Sequence, residues 1–480
     1  MNKSLTIHLV GEVVRVVGLL MLLPIAVSLI LRSGDTTPLL IAMLITLAAG
    51  TVLSLVKPRH DTLRPREGFA IVAFSWILVS FFGGLPFFFS GYVPNLMDCF
   101  FETVSGFTTT GSTILTDVEA LPRGLLFWRS FTHWAGGMGV LVLSLALIPK
   151  MGARSIHLMR AESPGPSTDK LVPRVASNAK ILYGIYAGLS VIMVVALLLC
   201  GMNLYDALVH MFGAAGTGGF GVYNSSIAYY DSAAVDVVVG VFMALFGVNF
   251  SLYYFVLTKN WKAAVSNSEL QVYLSLLLGA SVVIALNIMP LYAGNFFQAL
   301  RYSFFQCSSI MTTTGYATAD FNLWPQLSRG LLVTLMFIGA SAGSTGGGIK
   351  VIRVQLLAKS MARDIRRTVH PKSVNTIKLD GHTVSENILS GVQGFFFAYF
   401  LVLILSTIII SLDGFSFETN VTAVIATLSN IGPGLDMVGP TGNFSQFSNL
   451  SKLVLSLCML IGRLEIFPIL MLFDRDAWKR

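Results

Sequence analysis

Ten apolar runs recur along this 480-residue chain, and no other feature of the sequence restricts its possible folds so strongly. Most of them reach the roughly 20 residues that a helix needs to cross the hydrocarbon core of a bilayer. Charged residues make up 12% of the chain, against about 25% in soluble domains, so lipid must cover much of the surface. We therefore predict an all-α polytopic membrane protein with ten spans. The runs lie at residues 13–31, 38–56, 69–90, 124–148, 181–202, 233–257, 270–292, 328–342, 389–412 and 450–473.

The basic residues are distributed unevenly among the connections, and cytoplasmic loops are the ones enriched in Lys and Arg. Segments 57–67, 149–180, 259–268, 350–388 and 475–480 hold 23 of the 32 basic residues. The connections on the opposite side carry Arg32, Arg123, Arg329 and Lys452. This pattern predicts that both termini are cytoplasmic. The cytoplasmic loops then account for the net charge of +8. Because the charge needs no other explanation, we expect no nucleic-acid partner.

Four further apolar segments are too short to cross a membrane, and a glycine-containing turn follows each of them. These segments are 95–107, 203–215, 296–311 and 417–430. Asn95 lies 16 residues before Gly111, and Asn203 lies 16 residues before Gly219. We interpret the segments as re-entrant half-helices of four pseudo-repeats around one pore. The predicted units are an N-terminal hairpin at 1–56 and repeats at 69–148, 181–258, 270–360 and 389–473.

Four glycine turns at equivalent positions suit the coordination of a cation. Backbone carbonyls that point one way can replace the water shell of a cation, and glycine permits the backbone dihedral angles that this arrangement needs. Irregular backbone at membrane depth is tolerated where it lines a water-filled path or is buried in protein. Half-helices that enter from outside would also direct their negative C-terminal ends toward the cation. The predicted filter residues are Thr109, Thr110, Gly111, Gly218, Gly219, Thr313, Thr314, Gly315, Asn430, Ile431 and Gly432.

At these turns the sequence resembles the Trk/Ktr/HKT superfamily of potassium transporters, and most closely its bacterial TrkH branch. The resemblance covers nearly the whole chain. Its specific elements are residues 108–112, 217–220, 312–316, 430–433, 343–350 and 462–465. In this superfamily a serine in place of the first filter glycine accompanies sodium transport, so Gly111 favours potassium. Pro433, which follows the fourth filter glycine, departs from the family pattern and makes that loop the hardest to predict.

The resemblance also implies how such a protein works and what it binds. It implies potassium uptake across the bacterial inner membrane, with K⁺ as the transported ion. It further implies a homodimer associated with a cytosolic nucleotide-binding regulatory ring. The sequence leaves open whether flux is channel-like or a symport. A secondary transporter for another cation or a small solute is the alternative, because such folds also use repeats and broken helices.

The run at 328–342 is too short to span a membrane and leads into a glycine-rich stretch, which predicts a helix broken inside the membrane. The family resemblance makes this stretch a gate; the alternative is a simple helix kink or a close helix crossing at small residues. The predicted gate residues are Gly343, Ser344, Thr345, Gly346, Gly347, Gly348 and Lys350.

Arg463 lies in the last apolar run, two residues before Glu465. A charge at that depth is costly unless it faces a polar cavity or a partner. We predict that Arg463 faces the ion path as an electrostatic barrier. The alternative is a structural pair with an acid elsewhere.

The sequence holds none of the motifs HExxH, GxSxG or GxxxxGK[ST], so we expect no enzyme activity and no nucleotide site of this kind in the chain. Nucleotide control would come from a partner. A basic stretch with Arg363, Arg366, Arg367 and Lys372 could dock that partner, although anionic membrane lipid would explain it nearly as well.

Overall fold

A computed structural model of the chain describes residues 2–58, 65–139, 175–371 and 375–473. The all-α prediction is confirmed, because one two-residue hairpin ladder, Lys378–Leu379 with His382–Thr383, is the only sheet in these residues. Several basic residues that carry the predicted orientation lie outside the described residues, in particular those at 59–64, 150–174 and 475–480. Lys372 of the predicted docking stretch also lies outside them.

The chain begins with a helical hairpin in which α1 (Lys3–Leu20) packs closely along α3 (Thr36–Ser54), with α2 (Leu22–Leu31) between them. Glycines make this close contact possible, because a Cβ at Gly11 would lie 2.8 Å from the carbonyl oxygen of Gly50. Asp35, at the end of the hairpin, accepts a hydrogen bond of 2.7 Å from the backbone N–H of Leu125. The hairpin thereby helps to hold the start of a later helix.

The rest of the chain repeats one order of elements four times: a long first helix, a short helix and a following helix. The first helices are α4 (Pro65–Phe89), α7 (Val175–Leu199), α12 (Ser268–Ile288) and α16 (Glu386–Ile410). The short helices are α5 (Leu96–Phe107), α8 (Leu204–Ala215), α13 (Phe296–Met311) and α17 (Phe417–Leu428). The following helices are α6 (Arg123–Gly137), α9 (Ala233–Phe246), α14 (Gln326–Ile338) and α18 (Asn449–Arg463). Linking helices are α10 (Phe250–Leu257), α11 (Trp261–Val265), α15 (Val351–Val369) and α19 (Phe467–Leu470).

The four short helices match the predicted half-helices closely, and each begins with a side-chain cap. The side-chain oxygens of Asn95, Asn203, Asn295 and Ser416 accept hydrogen bonds from backbone N–H groups in the first turn. Such a cap pairs an N–H group that would otherwise lack a partner at the helix start. The asparagine that recurs 16 residues before the glycine is therefore an N-cap.

The prediction of ten spans included the run at 328–342 as a helix broken inside the membrane. In the described residues six helices are long and apolar enough to cross a membrane, and α9 with α10, bent by 94°, would make a seventh. The following helices are only 13 to 15 residues long and end at glycine or beside it. The break predicted for the third following helix alone occurs in all four, next to Gly137, Gly247, Gly339 and Gly462.

The outer surface of the first helices is apolar, which is the pattern of a chain covered by lipid. Leu199 on α7 is 83% exposed and Phe397 on α16 is 71% exposed. The short helices are instead buried along most of their length. The molecule therefore places the short helices at its centre and the long apolar helices around them.

Candidate functional site

The four glycine loops, residues 108–112, 216–220, 312–316 and 429–433, leave their helices in the same way. Each short helix ends four residues before its glycine. The residue just before each glycine then donates its N–H to the carbonyl five residues earlier, at 2.7 to 2.9 Å. This bond, with a left-handed residue before it, defines the Schellman ending of a helix. The donors are Thr110, Gly218, Thr314 and Ile431.

The left-handed residue that ends each short helix is not a glycine. Thr109, Thr217, Thr313 and Asn430 have φ values of 56°, 58°, 63° and 57°. A β-branched residue adopts this conformation only when its surroundings impose it, and such residues cluster at functional sites. The predicted filter set contained three of these residues and omitted Thr217, which occupies the same place in the second loop.

The four loops contact one another in a closed ring. A Cβ built on any of the four predicted filter glycines would lie within 3.1 Å of a backbone atom of the next loop. These contacts run from Gly111 to Gly218 O, from Gly219 to Thr314 O, from Gly315 to Gly432 N and from Gly432 to Gly111 O, at 1.8, 2.1, 3.1 and 3.0 Å. Packing therefore excludes side chains at Gly111 and Gly219, and a side chain at Gly315 or Gly432 would have to displace its neighbour by a few tenths of an ångström. The ring follows the order of the loops along the chain and closes from the fourth loop to the first.

The fourth loop differs from the others in its backbone. Gly111, Gly219 and Gly315 have φ values of 84°, 78° and 85°, whereas Gly432 is not in the left-handed region. Pro433 explains the difference, because a proline restricts the preceding residue to extended conformations. The loop that the sequence made hardest to predict is the one that departs from the common geometry.

Carbonyl groups of the ring are available for a ligand. Thr110, Thr314 and Ile431 are fully buried, yet their carbonyls accept no hydrogen bond from any residue that the structure describes. Buried backbone carbonyls are normally paired, so such groups around one ring call for a partner outside the protein. A dehydrated cation is a partner that carbonyl oxygens bind well.

A cavity lies on each side of the ring. One of about 130 Å³ is lined by Gly111, Gly219, Gly315 and Gly432 together with the loops that follow them. The other, of about 140 Å³, is lined by Asn430, Arg463, Lys350 and glycines 346–348 among others. The ring of glycine loops therefore separates two cavities.

The glycine-rich loop, residues 339–350, joins α14 to α15 and docks directly onto the ring. The N–H of Gly347 donates to Thr313 Oγ1 at 2.7 Å, and the N–H of Gly348 donates to Ser429 O at 2.9 Å. A Cβ on Gly347 would lie only 2.3 Å from Ser429 O, so the docking requires glycine. Twelve consecutive non-helical residues are more than a helix kink.

A single buried carboxylate holds both ends of this loop. Glu269 Oε1, in the first turn of α12, accepts from the N–H of Ala342 at 2.7 Å and from the N–H of Ile352 at 3.2 Å. Lys350 Nζ, inside the loop, donates to Gly346 O. The sequence analysis missed Glu269, although an acid in the first turn of a long apolar run was a visible signal.

Arg463 lies between the first glycine loop and the glycine-rich loop. Its guanidinium donates to Thr109 Oγ1 at 3.2 Å and to Thr345 O at 2.9 Å. It also donates to the carbonyls of Gly136 and Gly137, at 2.5 and 2.6 Å, where α6 ends. Glu465, two residues on, pairs with Arg353.

Glycines at the broken ends of the following helices let these helices approach the ring. A Cβ on Gly136 would lie 1.9 Å from Phe107 O, and a Cβ on Gly462 would lie 2.0 Å from Leu428 O. Phe107 and Leu428 are the last residues of their short helices. The same packing therefore occurs in the first and the fourth repeat, and it explains two breaks that the hydropathy pattern did not reveal.

A buried ion pair supports the first glycine loop from behind. Arg129 Nε and Glu102 Oε1 are 2.6 Å apart, with both side chains almost fully buried. Glu102 also accepts from Thr113 Oγ1 and from the N–H of Ile114, just beyond Gly111. Both residues are therefore engaged in hydrogen bonds within the protein.

Comparisons with known proteins place these features in a family. Residues 37–478 match the family model described as "TrkH: Cation transport protein". The chain is 39% identical to the Trk system potassium uptake protein TrkH of Salmonella typhimurium, over 97% of this chain and 99% of that protein. It is 32% identical to the Trk system potassium uptake protein TrkG of Escherichia coli, over 98% of both chains. The crystal structure of the potassium transporter TrkH from Vibrio parahaemolyticus matches with a TM-score of 0.89 and 33% identity, over the full length of both chains.

Proposed function

The chain belongs to the TrkH family of cation transport proteins, and from this premise we propose that it takes up potassium as the membrane subunit of a Trk-type system. The resemblance noted in the sequence is thereby confirmed at the level of the family. Both relatives named above are described as potassium uptake proteins. The protein is a membrane transporter rather than an enzyme, and K⁺ is its cargo.

The observation that carries this proposal is the closed ring of four glycine loops. The ring is the selectivity filter, in which carbonyls from all four loops replace the water around one K⁺ ion. Three fully buried carbonyls without a protein partner, those of Thr110, Thr314 and Ile431, support this role. The four short helices end at the ring, so the negative ends of their dipoles favour a cation there.

The glycine-rich loop is the gate of this path. It is bonded to the third and fourth glycine loops through Gly347 and Gly348, and it lines the cavity of about 140 Å³ beside the ring. In this position it obstructs an ion that leaves the filter. Glu269 acts as its latch, because one carboxylate oxygen holds both ends of the loop.

Arg463 is a fixed electrostatic barrier in the same cavity. A guanidinium stays protonated at any working pH, so the positive charge is permanent. Its hydrogen bonds to Thr109 and Thr345 hold that charge between the filter and the gate. A permeating cation meets repulsion there and leaves the filter only when the charge or the loop moves.

We further propose a homodimer in the bacterial inner membrane, with both termini cytoplasmic and a cytosolic nucleotide-binding regulatory ring as partner. Within the basic stretch proposed to dock this partner, Arg363 forms ion pairs with Asp364 and Glu386. Arg366 and Arg367 are exposed at the end of α15, which starts where the gate ends. Force on this helix would reach the glycine-rich loop directly.

Cation flux into liposomes tests the proposal. The purified protein is reconstituted and tracer uptake is measured with potassium, rubidium, sodium and lithium in competition. We expect potassium and rubidium to compete strongly and sodium and lithium weakly. Equal competition by all four cations, or uptake that only an organic solute drives, would contradict a potassium filter and favour the secondary transporter.

A further inference from the structure

Three basic residues, Arg123, Arg329 and Lys452, do not follow the distribution of positive charge that predicts the topology. Each lies within the first four residues of a following helix, namely α6, α14 and α18. Basic residues are unfavourable at a helix start, because the helix dipole is positive there. Their presence near the start of three following helices therefore needs a separate explanation.

Two of these residues form ion pairs with the short helix of the next repeat. Lys452 Nζ lies 2.6 Å from Asp98 Oδ1 in the first turn of α5, and the Lys452 side chain is only 6% exposed. Arg329 pairs with Glu418 in the first turn of α17. The fourth repeat is thus joined to the first, and the third is joined to the fourth.

The other two junctions join the corresponding pairs of helices with different chemistry. Between the second and third repeats the signs are reversed, because Asp236 on α9 pairs with Arg301 on α13, with Oδ2 and Nε 3.4 Å apart. Between the first and second repeats Tyr205 on α8 donates to Arg123 O at 2.6 Å. The Arg123 guanidinium also lies 5.3 Å from the centroid of the Tyr205 ring.

These four contacts form a second closed ring, at the opposite end of the short helices from the glycine loops. Each following helix meets the next short helix, and the last returns to the first. Backbone contacts between the loops beyond the glycines reinforce two of the junctions. Phe444 N donates to Thr113 O at 2.8 Å, and Ala228 N donates to Ala317 O at 3.2 Å.

We infer that this ring, which we call the rim clamp, sets the spacing of the four short helices and thereby positions the filter carbonyls. A 12-residue helix is about 18 Å long and rigid, so a shift at its first turn tilts its other end. That other end is the glycine loop, which packs against its neighbours within van der Waals distance. The paired residues are positioning residues that touch no ion, and the inference rests on the proposed potassium function.

Charge reversal at the most buried junction tests the rim clamp. We compare the parent with Lys452→Asp, Asp98→Lys and the double variant that exchanges both charges. Each single reversal should lower the preference for potassium over sodium by about twofold to tenfold, which is the lower part of the range of coupling between contacting residues. The exchange should restore most of it. Arg15→Asp is the matched control, because Arg15 pairs with Glu12 inside α1 and joins no repeats.

The readout is the flux ratio in liposomes, measured beside the thermal stability of the same preparations. A parent without potassium preference would refute the proposed function, whatever the variants do. A selective parent whose single reversals fold and keep the same ratio would overturn the rim clamp, as would a ratio that falls equally in Arg15→Asp. If the Lys452 variants do not fold, the same series at Arg329 and Glu418 decides, since Glu418 is 44% exposed and tolerates reversal better.

Discussion

The carbonyl oxygen of Gly218 lies 1.8 Å from the place where a Cβ on Gly111 would stand. No real side chain can occupy that space, so the first and second glycine loops fit together only while residue 111 is glycine. The contact also means that any larger residue must displace a carbonyl of the neighbouring loop. In the proposed filter, selectivity for an ion and packing of the backbone would therefore depend on the same atom, the carbonyl oxygen of Gly218.

The first prediction follows from this contact. Gly111→Ser should move the Gly218 carbonyl and lower the preference for potassium over sodium about tenfold, which corresponds to ~1.4 kcal/mol of discrimination. Gly34→Ser is the matched control, because Gly34 has a φ of 85°, like the 84° of Gly111, but open space around its Cα. Tracer competition in liposomes measures both. Unchanged preference in Gly111→Ser would remove this loop from the filter.

The second prediction concerns the docking of the gate. Gly347→Ala places a methyl group against Ser429 O, so the glycine-rich loop should leave the ring and basal potassium flux should rise. Gly391→Ala, on α16 with open space around its Cα, is the control. The measurement is flux in liposomes without any cytosolic protein. A folded Gly347→Ala protein that conducts no more than the parent would leave the loop without a gating role.

The third prediction concerns Glu269, whose carboxylate holds both ends of the glycine-rich loop. Glu269→Ala leaves the N–H groups of Ala342 and Ile352 without an acceptor, at a cost of roughly 1–3 kcal/mol each, so the closed loop should loosen and basal flux should rise. Glu269→Gln keeps an acceptor oxygen and should stay close to the parent. Equal flux in both variants and the parent would show that Glu269 does not latch the gate.

The fourth prediction tests the barrier charge. Arg463→Ala should speed potassium flux about tenfold for each ~1.4 kcal/mol by which the barrier falls, with no change in the preference over sodium. Arg463→Lys retains the charge and should remain slow. Thermal stability measured on the same preparations tests the alternative, in which Arg463 has only a structural role. Lower stability with unchanged flux in Arg463→Ala would leave this arginine as a purely structural hydrogen-bond donor to Gly136, Gly137 and Thr345.

The short helices could be predicted from the sequence to within a residue or two because both of their ends carry local signals. Asn95 and Asn203 mark the starts as N-caps, and Gly111 and Gly219 mark the loops. The breaks in the following helices were harder to predict. Hydropathy reports only that a run is apolar, and Gly247 or Gly462 inside such a run is ordinary in a membrane helix.

Other parts of the site depend on contacts between distant parts of the chain. A threonine such as Thr217 rarely adopts the left-handed conformation by its own preference. It adopts it here because neighbouring loops pack around it. Glu269 reaches Ala342 across 73 residues, and Lys452 reaches Asp98 across 354. The periodicity of a segment carries no information about pairs that join distant segments. A single sequence therefore could not reveal these contacts.

The fourth filter glycine, Gly432, is not in the left-handed region, and this has a consequence for the symmetry of the ring. Three loops present left-handed glycines and the fourth does not, so the ring has no true fourfold axis. A cation held at its centre would experience an electric field gradient without axial symmetry. A quadrupolar nucleus such as that of rubidium would report this as a non-zero asymmetry parameter, a spectroscopic property that four identical loops could not produce.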